Sequence, residues 1–334
     1  MPDSLIDRKA VALFSGGLDS MLAIRIMQEQ GFEVEALNIR TTFDCCKVPA
    51  AQAAIELGVR VTVLSVGDDY LEVLRSPRHG YGKGCNPCVD CRAYMGRMAK
   101  QLMDEIGACV VVTGELLGQR PNSQKRPQLD LVAKEAGLQG RLLRPLSAKM
   151  LPPTIPEQEG LIDRDKLYDF TGRSRRPLIE LAQQLGIDEI PTPSTGCALT
   201  EKTFVPRVED LLSHQPDAAR WDFELLNTGR HLRLDERTKV VIGRDERENA
   251  VLESFFKRQD AGDVLLVAPE NFVGPLALLI GPADDEHVAT AGALLIRYTR
   301  QCDPDNATIR ISEGGASRVC TAAADPSVDE LPRL

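Results

Sequence analysis

A glycine-rich loop near the start of the chain carries the strongest chemical signal. An apolar run leads into Ser-Gly-Gly-Leu-Asp-Ser at positions 15–20, and apolar residues at helical spacing follow it. The two glycines lack Cβ atoms, so the backbone can turn until several N–H groups converge beside the positive end of the helix dipole. The serines add hydroxyl donors, and the aspartate can cap the helix or position Mg²⁺. The loop therefore predicts a pyrophosphate site formed by Ser15, Gly16, Gly17, Asp19 and Ser20.

Clustered cysteines form the second signal. Cys85, Cys88 and Cys91 fall within seven residues, before a predicted helix, and Cys197 lies far downstream in a turn-rich loop. Thiolates at this spacing suit zinc or an iron–sulfur cluster, and a helix start lowers a thiol pKa, which also suits a persulfide carrier. Three interpretations remain open, namely a sulfur-handling site, a structural zinc site and unrelated thiols, and the first is favoured.

Strands and helices alternate along the first part of the chain. Apolar runs bounded by glycine predict strands at 34–39, 59–66, 109–113 and 142–146, and helices at 50–57 and 177–185. This alternation predicts an α/β fold, with right-handed crossovers and a parallel sheet covered by helices on both faces. Ligands of such sheets bind at the carboxyl ends of the strands, where the glycine loop lies.

A second, smaller α+β domain is expected after a break near residues 213–220, where His-Gln-Pro-Asp interrupts the apolar pattern. Short strands at 239–242, 264–267 and 276–280 and helices at 249–257 and 289–298 are predicted beyond the break. We therefore expect domains at residues 1–212 and 221–311, followed by a disordered tail at residues 314–334.

Composition and charge narrow the class of protein. The chain has 334 residues, 43% hydrophobic content and a formal net charge of −9. Its nine cysteines, an odd number, favour ligands or nucleophiles over a disulfide framework. The absence of a signal-like segment and of a bilayer-length apolar run leads us to expect a cytoplasmic protein with no membrane partner. Because the net charge is negative, any RNA site must be a local cationic patch.

The glycine loop resembles that of the PP-loop ATP pyrophosphatases, which have an adenine nucleotide alpha hydrolase-like fold and cleave ATP to AMP and pyrophosphate. Together with Val-Thr-Gly-Glu-Leu-Leu-Gly-Gln at 112–119, Ser-Gln at 123–124 and Arg-Pro-Leu at 144–146, it resembles the PP-loop domain of ThiI-type tRNA 4-thiouridine synthases. Asn-Pro-Cys at 86–88 and Ser-Thr-Gly-Cys at 194–197 resemble instead the two catalytic-cysteine loops of MnmA-type tRNA 2-thiouridine synthases.

These resemblances imply an ATP-dependent tRNA sulfurtransferase that adenylates a uridine carbonyl and replaces the oxygen with sulfur. The implied substrates are ATP with Mg²⁺, tRNA and a sulfur donor, either sulfide or a cysteine desulfurase, and a homodimer is one possible assembly. Cys88, Cys197 and Asp19 are the implied catalytic residues. The implied ATP-binding residues outside the glycine loop are Ile39, Arg40, Gly114, Glu115 and Gln119.

The cysteine layout also resembles that of the TtcA- and TtuA-type tRNA thiolases, in which a Cys-x-x-Cys pair and one remote cysteine hold a 4Fe-4S cluster with one open iron. Cys88, Cys91 and Cys197 would reproduce that layout. A cluster-bound hydrosulfide and a persulfide with a resolving thiol both remain open as sulfur carriers. Cys45 and Cys46 either supply a further thiol or serve as small apolar side chains.

The segment Lys239 to Asn249 resembles part of the RNA-binding domain of NFACT proteins, in which a Gly-Arg and a nearby Glu-Asn recur. The resemblance implies tRNA contacts at Arg244 and Arg247. An ordinary mixed-charge surface is the alternative, because acidic residues interleave with the basic ones. A basic group at 173–176 can contact RNA or pyrophosphate, or simply face solvent.

Two other functions remain open. A PP-loop ligase, in which an amine attacks the adenylate to form an amide or amidine, needs no set of cysteines. A non-catalytic RNA-binding protein would bind RNA without releasing pyrophosphate from ATP.

Overall fold

The computed structural model describes residues 8–43, 50–193, 196–258, 260 and 262–334, and the chain divides into two compact units at residues 1–200 and 201–334. The described strands of the first unit are β1 (Lys9–Leu13), β2 (Glu33–Arg40), β3 (Arg60–Ser65), β4 (Val110–Thr113) and β5 (Leu142–Leu143). Its described helices are α1 (Leu18–Glu29), α2 (Ala50–Leu57), α3 (Asp69–Arg75), α4 (Cys88–Glu105), α5 (Arg126–Glu135), α6 (Ile155–Gln158) and α7 (Arg176–Gln184).

The strands of the first unit form a parallel sheet in the order β3-β2-β1-β4-β5. Both faces of this sheet are covered. Ala10 and Ala12 of β1 pack in one core with side chains of α1, α2 and α7, whereas Val11 packs in another with side chains of α4 and α5. Since alternate strand residues point to opposite faces, an uninterrupted apolar strand requires helices on both sides. The predicted α/β fold is confirmed.

The second unit is built on an antiparallel sheet in the order β11-β10-β8-β9-β7-β6. Its strands are β6 (Arg230–Arg233), β7 (Lys239–Ile242), β8 (Val264–Pro269), β9 (Ala277–Ile280), β10 (Thr308–Glu313) and β11 (Ala316–Thr321). Its described helices are α8 (Val205–His214), α9 (Arg220–Leu225), α10 (Glu246–Phe256) and α11 (Asp285–Arg297). Across the described parts of both units, no helix combines the length and apolar character needed to cross a membrane.

The boundary between the units differs from the expected one at residue 212, because α8 belongs to the second unit. Arg233 of β6 donates two hydrogen bonds to the Asp210 carboxylate of α8, one of them 2.8 Å long. Arg207 of α8 donates to the carbonyl of Leu226 at 2.8 Å. These contacts join α8 to residues that follow it by many positions, so helical periodicity within α8 could not reveal them.

The expectation of a disordered tail at residues 314–334 is wrong. Residues 316–321 form β11, which pairs with β10 along its whole length. Gly314 and Gly315 make the connecting turn with φ angles of +52° and +88°. Further on, Val328 is buried in the core of the second unit. The small residues that suggested disorder therefore serve a tight hairpin, in which glycine is favoured at positive φ.

Candidate functional site

The loops that follow β1 and β4 lie side by side at the carboxyl edge of the first sheet. β1 and β4 are neighbours, and the strand order reverses between them, which is where ligands bind in open α/β sheets. Gly114 ends β4 against the first turn of α1. A Cβ on Gly114 would lie 2.4 Å from the carbonyl carbon and oxygen of Asp19 and 2.6 Å from the nitrogen of Ser20. The glycine thus allows two loops to meet at a distance that no other residue permits.

The glycine loop after β1 presents hydrogen-bond donors around an open helix end. Gly16 adopts a φ of +76°, and a Cβ there would meet the Cα of Ala50 at 3.0 Å. Gly17 caps α1 without a side-chain hydrogen bond, and its N–H donates to Ser15 Oγ at 3.3 Å. Ser20 Oγ donates to the Gly17 carbonyl at 2.8 Å. The loop conformation therefore leaves the start of α1 suited to an anion.

Asp19 joins this loop to the loop after β4. Gln119 Nε2 donates to Asp19 Oδ2 at 2.9 Å. Burial raises the pKa of the Asp19 carboxyl, and the Gln119 hydrogen bond and the nearby Arg175 and Arg120 charges act in the opposite direction. The two guanidinium charges favour the ionised form of Asp19, and an ionised carboxylate is the ligand that Mg²⁺ takes together with phosphate oxygens.

A buried group of charges lies next to this junction. Glu115 accepts from Arg144 Nε at 2.9 Å and forms a second, shorter ion pair with Arg92. Arg144 is 5% exposed and also donates to the carbonyl of Leu129. Burial lowers the pKa of Arg92 and of Arg144 to about 10, so both remain cationic at neutral pH. Glu115, predicted as an ATP-binding residue, therefore holds two arginines in place.

The cysteine pair lies on the first turn of α4, facing Arg92. Cys88 begins the helix, and Cys91 lies one turn further on, with its Sγ 3.1 Å from the hydroxyl of Tyr70. Burial raises the pKa of the Cys91 thiol to about 11, despite the Tyr70 hydrogen bond, and the neighbouring Cys197 and Cys88 act in the same upward direction. Cys91 is therefore a neutral thiol at physiological pH, and Cys197 lies close enough to influence it.

One cavity of about 1080 Å³ connects these groups. Its lining includes residues of the glycine loop and the three cysteines. The predicted site residues in its lining are Ser15, Asp19, Ser20, Ile39, Arg40, Gly114, Glu115, Gln119, Cys88, Cys91 and Cys197. Gly16 and Gly17 belong to the same loop but not to the lining. The structure thus brings residues that are far apart in the sequence to a common cavity.

Some residues of the cavity were not assigned a role by sequence reasoning. Arg92, Arg120 and Gln124 line it, although only Gln124 lies in a recognised motif. The backbone of Gln124 is fixed by hydrogen bonds with Gly118 and Arg120, and its side-chain Oε1 is buried with no partner in the described part of the chain. Arg92 follows Cys88 by four positions, so helical spacing alone could have placed it beside the thiol.

The described residues contain no group of three or more His, Cys, Asp and Glu side chains arranged to hold a metal ion. Cys88, Cys91 and Cys197 line the same cavity without forming such a ligand set. The predicted 4Fe-4S site therefore stays a prediction. Cys45 and Cys46 lie outside the described residues.

The predicted RNA-binding arginines lie at the start of α10 in the second unit. Arg244 donates to the carboxylate of Glu248 through Nε at 2.9 Å and through a second nitrogen at 2.5 Å. This hydrogen bond raises the pKa of Arg244. Arg247 is exposed. Arg244, which precedes α10, is thus engaged with an acidic partner in the first turn of that helix.

Two family models match separate parts of the chain. Residues 6–149 match the family described as thiamine biosynthesis protein (ThiI), and residues 229–330 match the NFACT protein RNA binding domain. The first unit therefore carries a ThiI-type domain with a PP-loop-type fold, and the second unit carries an NFACT-type RNA-binding domain. Both resemblances read from the sequence are confirmed.

Curated relatives match part of the chain. A tRNA-specific 2-thiouridylase MnmA of Acidithiobacillus ferrooxidans is 32% identical over 124 residues, which cover 33% of this chain and 34% of the relative. A probable tRNA sulfurtransferase of Methanothermobacter thermautotrophicus is 31% identical over 171 residues, which cover 49% of this chain and 41% of the relative. The chain thus spans about a third to two fifths of the length of these relatives.

Among solved structures, a 4-thiouridine synthetase–RNA complex with bound ATP is 20% identical, covers 65% of this chain and 52% of that chain, and has a TM-score of 0.40. A score at this level carries no argument about the site. The fold of the first unit rests on its own strand order and on the family match.

Proposed function

We propose that this protein is an ATP-dependent tRNA sulfurtransferase, which adenylates a uridine carbonyl and replaces its oxygen with sulfur. One observation carries this proposal. A single cavity holds both the glycine loop that suits pyrophosphate and the three thiols Cys88, Cys91 and Cys197. An adenylating enzyme without sulfur chemistry has no need of thiols beside its phosphate site.

The first step forms the adenylate. The uridine carbonyl oxygen attacks the α-phosphorus of ATP, and the bond to the β-phosphate breaks, with pyrophosphate taking the electron pair. The N3 proton of uracil is lost in this step. Ser15, Ser20 and the start of α1 bind the departing pyrophosphate, and Asp19 would hold a Mg²⁺ ion that would supply further positive charge to the phosphates. Backbone near Ile39 and Arg40 contacts the adenosine.

The second step exchanges oxygen for sulfur. A sulfur nucleophile forms a bond to the activated carbon, and the bond from that carbon to the adenylate oxygen breaks, so that AMP leaves with the electron pair. Hydrosulfide balances this step without redox change, because its proton replaces the one lost from N3. Arg92 lies beside the thiols and can stabilise the anionic sulfur.

A persulfide on Cys88 or Cys197 is the second route. Its terminal sulfur bonds to the carbon as the bond to the adenylate oxygen breaks and AMP leaves with the electron pair. The thiolate of the other cysteine then attacks the first cysteine's sulfur, which breaks the S–S bond and releases the thiocarbonyl. N3 regains a proton from solvent, and a thiol reductant reduces the resulting Cys88–Cys197 disulfide. The two routes share the same cavity and differ in the fate of the cysteines.

The test supplies the anaerobically purified protein with ATP, Mg²⁺, tRNA and sulfide. We expect AMP and pyrophosphate in equal amounts and a thiouridine in the digested tRNA, detected by mass spectrometry. Absorbance and iron content of the same preparation decide whether a cluster is present. ADP and phosphate as products would overturn the assignment.

Cys88→Ala and Cys197→Ala separate thiolation from the ligase alternative. We expect both variants to lose thiouridine formation, whereas Cys320→Ala in the second unit retains it. Full ATP-dependent turnover in both cavity variants would instead support a PP-loop ligase.

A further inference from the structure

Most arginines of the second unit are already paired with carboxylates. The pairs within its described residues include Arg233 with Asp210, Arg244 with Glu248, Arg258 with Glu224 and Asp260, Arg297 with Asp329, Arg310 with Glu270, and Arg318 with Asp285. Acidic residues also outnumber basic ones in 201–334. An arginine held in this way must exchange its carboxylate for phosphate, which reduces the free energy gained when it binds RNA. These carboxylates compete with phosphate for the paired arginines of the second unit.

The first unit has exposed cations beside the candidate active site. Lys83, Arg120, Lys125 and Arg173 are exposed and have no ion pair with another described residue. Their charges are available to an external anion. We call these four residues the loop cations, because each lies in a loop or at a helix start.

The loop cations lie on three loops that contact one another. The loop after β4 is central and carries Arg120 and Lys125. On one side, a Cβ on Gly82 would lie 3.2 Å from Asn122 Nδ2, which places the Lys83 loop against it. On the other side, the N–H of Gly172 donates to the carbonyl of Leu117 at 2.8 Å, which places the Arg173 loop against it. The four cations are therefore carried by neighbouring loops of the first unit.

These loops adjoin the candidate active site. Arg120 lines the cavity, and its charge acts on Asp19. The Lys83 loop runs directly into Asn86 and Cys88, which also line the cavity. A polyanion bound by the loop cations would thus lie beside the entrance to the thiols.

We propose that the loop cations bind the phosphates of the RNA substrate and so bring its uridine to the cavity. This inference rests on the proposed function, and it assigns the phosphate contacts chiefly to the ThiI-type domain. Such contacts fix the position of the RNA without reading its sequence, which leaves selection of the base to groups inside the cavity.

The test measures tRNA binding over a range of salt concentrations for two triple variants. The loop variant combines Lys83→Ser, Lys125→Ser and Arg173→Ser, and it leaves Arg120 intact because that residue also faces Asp19. The matched control combines Lys202→Ser, Arg237→Ser and Arg300→Ser, which removes three exposed cations of the second unit that have no assigned RNA-binding role. Both variants carry the same change in net charge.

We expect the slope of the logarithm of the tRNA association constant against the logarithm of salt concentration to become shallower in the loop variant by roughly 2. Each lost phosphate contact lowers the magnitude of this slope by about 0.7–0.9. The control should keep a slope close to that of the wild type. If thermal unfolding shows that the triple variant is misfolded, the single variants Lys83→Ser and Lys125→Ser replace it. Each should show the slope change expected for one lost phosphate contact. A control variant that loses the slope while the loop variant keeps it would overturn the inference.

Failure of the inference and failure of the proposed function give different results. Wild-type protein that binds tRNA through the loop cations but makes no AMP or thiouridine contradicts the function alone. Wild-type protein that makes thiouridine, with an unchanged salt slope in the loop variant, contradicts the inference alone.

Discussion

Replacing Gly114 with alanine should disable the candidate active site without unfolding the first unit. The added Cβ would lie 2.4 Å from the backbone carbonyl of Asp19. Carbon atoms pack best at about 3.5 Å or more, so β4 and the first turn of α1 must separate by about 1 Å. Neither side of this contact is a flexible side chain, since the obstructing atoms belong to the backbone of Asp19 and Ser20.

The expected loss is larger in activity than in stability. Overpacking a fitted interior costs about 1–3 kcal/mol in the free energy of unfolding. A misplacement of about 1 Å in a reacting group can cost roughly 100-fold in rate. Asp19 carries the Gln119 hydrogen bond and Ser20 belongs to the glycine loop, so both move with the helix start. We expect AMP formation to fall by about two orders of magnitude on this basis.

The assay follows AMP release from ATP in the presence of tRNA, alongside urea unfolding of the same preparation. Gly262→Ala is the matched control, because a Cβ there meets nothing within 4 Å and its φ lies outside the left-handed region. We expect the control to keep both its activity and its unfolding midpoint. Wild-type AMP formation in Gly114→Ala would refute the idea that close packing of these two loops positions the phosphate site.

Three further predictions concern buried charges and thiols. Glu115→Gln leaves two buried arginines without their carboxylate and should lower the free energy of unfolding by about 3–5 kcal/mol in urea, whereas Glu180→Gln, which breaks an exposed pair, should cost about 1 kcal/mol or less. Burial raises the pKa of Cys91 to about 11, so its alkylation by iodoacetamide should be slow at pH 8 and faster toward pH 11. Tyr70→Phe removes a hydrogen bond that lowers this pKa and should slow alkylation further. Peptide mass spectrometry measures the extent of alkylation. Burial lowers the pKa of Lys239 to about 8 in the folded protein. Between pH 8 and 10 the unfolded chain therefore binds more protons than the folded one, and the free energy of unfolding rises with pH. The urea midpoint of the wild type, relative to that of Lys239→Met, should rise over this range.

The sequence was sufficient for the parts of the fold that depend on short-range pattern. The strand of apolar residues before the glycine loop, the helices ending at glycine and the alternation of strand with helix all appear in the structure at nearly the predicted positions. Such features follow from the spacing of apolar side chains and from backbone freedom at glycine, which act over a few residues.

The expected domain boundary and the expected disordered tail were wrong because both depend on tertiary contacts. α8 was expected in the first domain, but its contacts through Arg233 and Asp210 tie it to β6. Residues 316–321 were expected to be disordered, but pairing with β10 orders them as β11. Arg233 lies 23 positions from Asp210, and β10, although adjacent to β11, is itself held in the sheet by the more distant β8. Local composition identifies neither partner.

The candidate site shows the same division. The sequence by itself determined which motifs are present, namely a phosphate-binding loop, a Cys-x-x-Cys pair and one remote cysteine. Only the tertiary structure decided that Cys197 lines the same cavity as Asp19, that Glu115 holds Arg92 beside the thiols, and that Arg244 is engaged by Glu248. Burial and charge pairing depend on which loops converge at the sheet edge, because a side chain's environment is set by its neighbours in space and not by its neighbours along the chain.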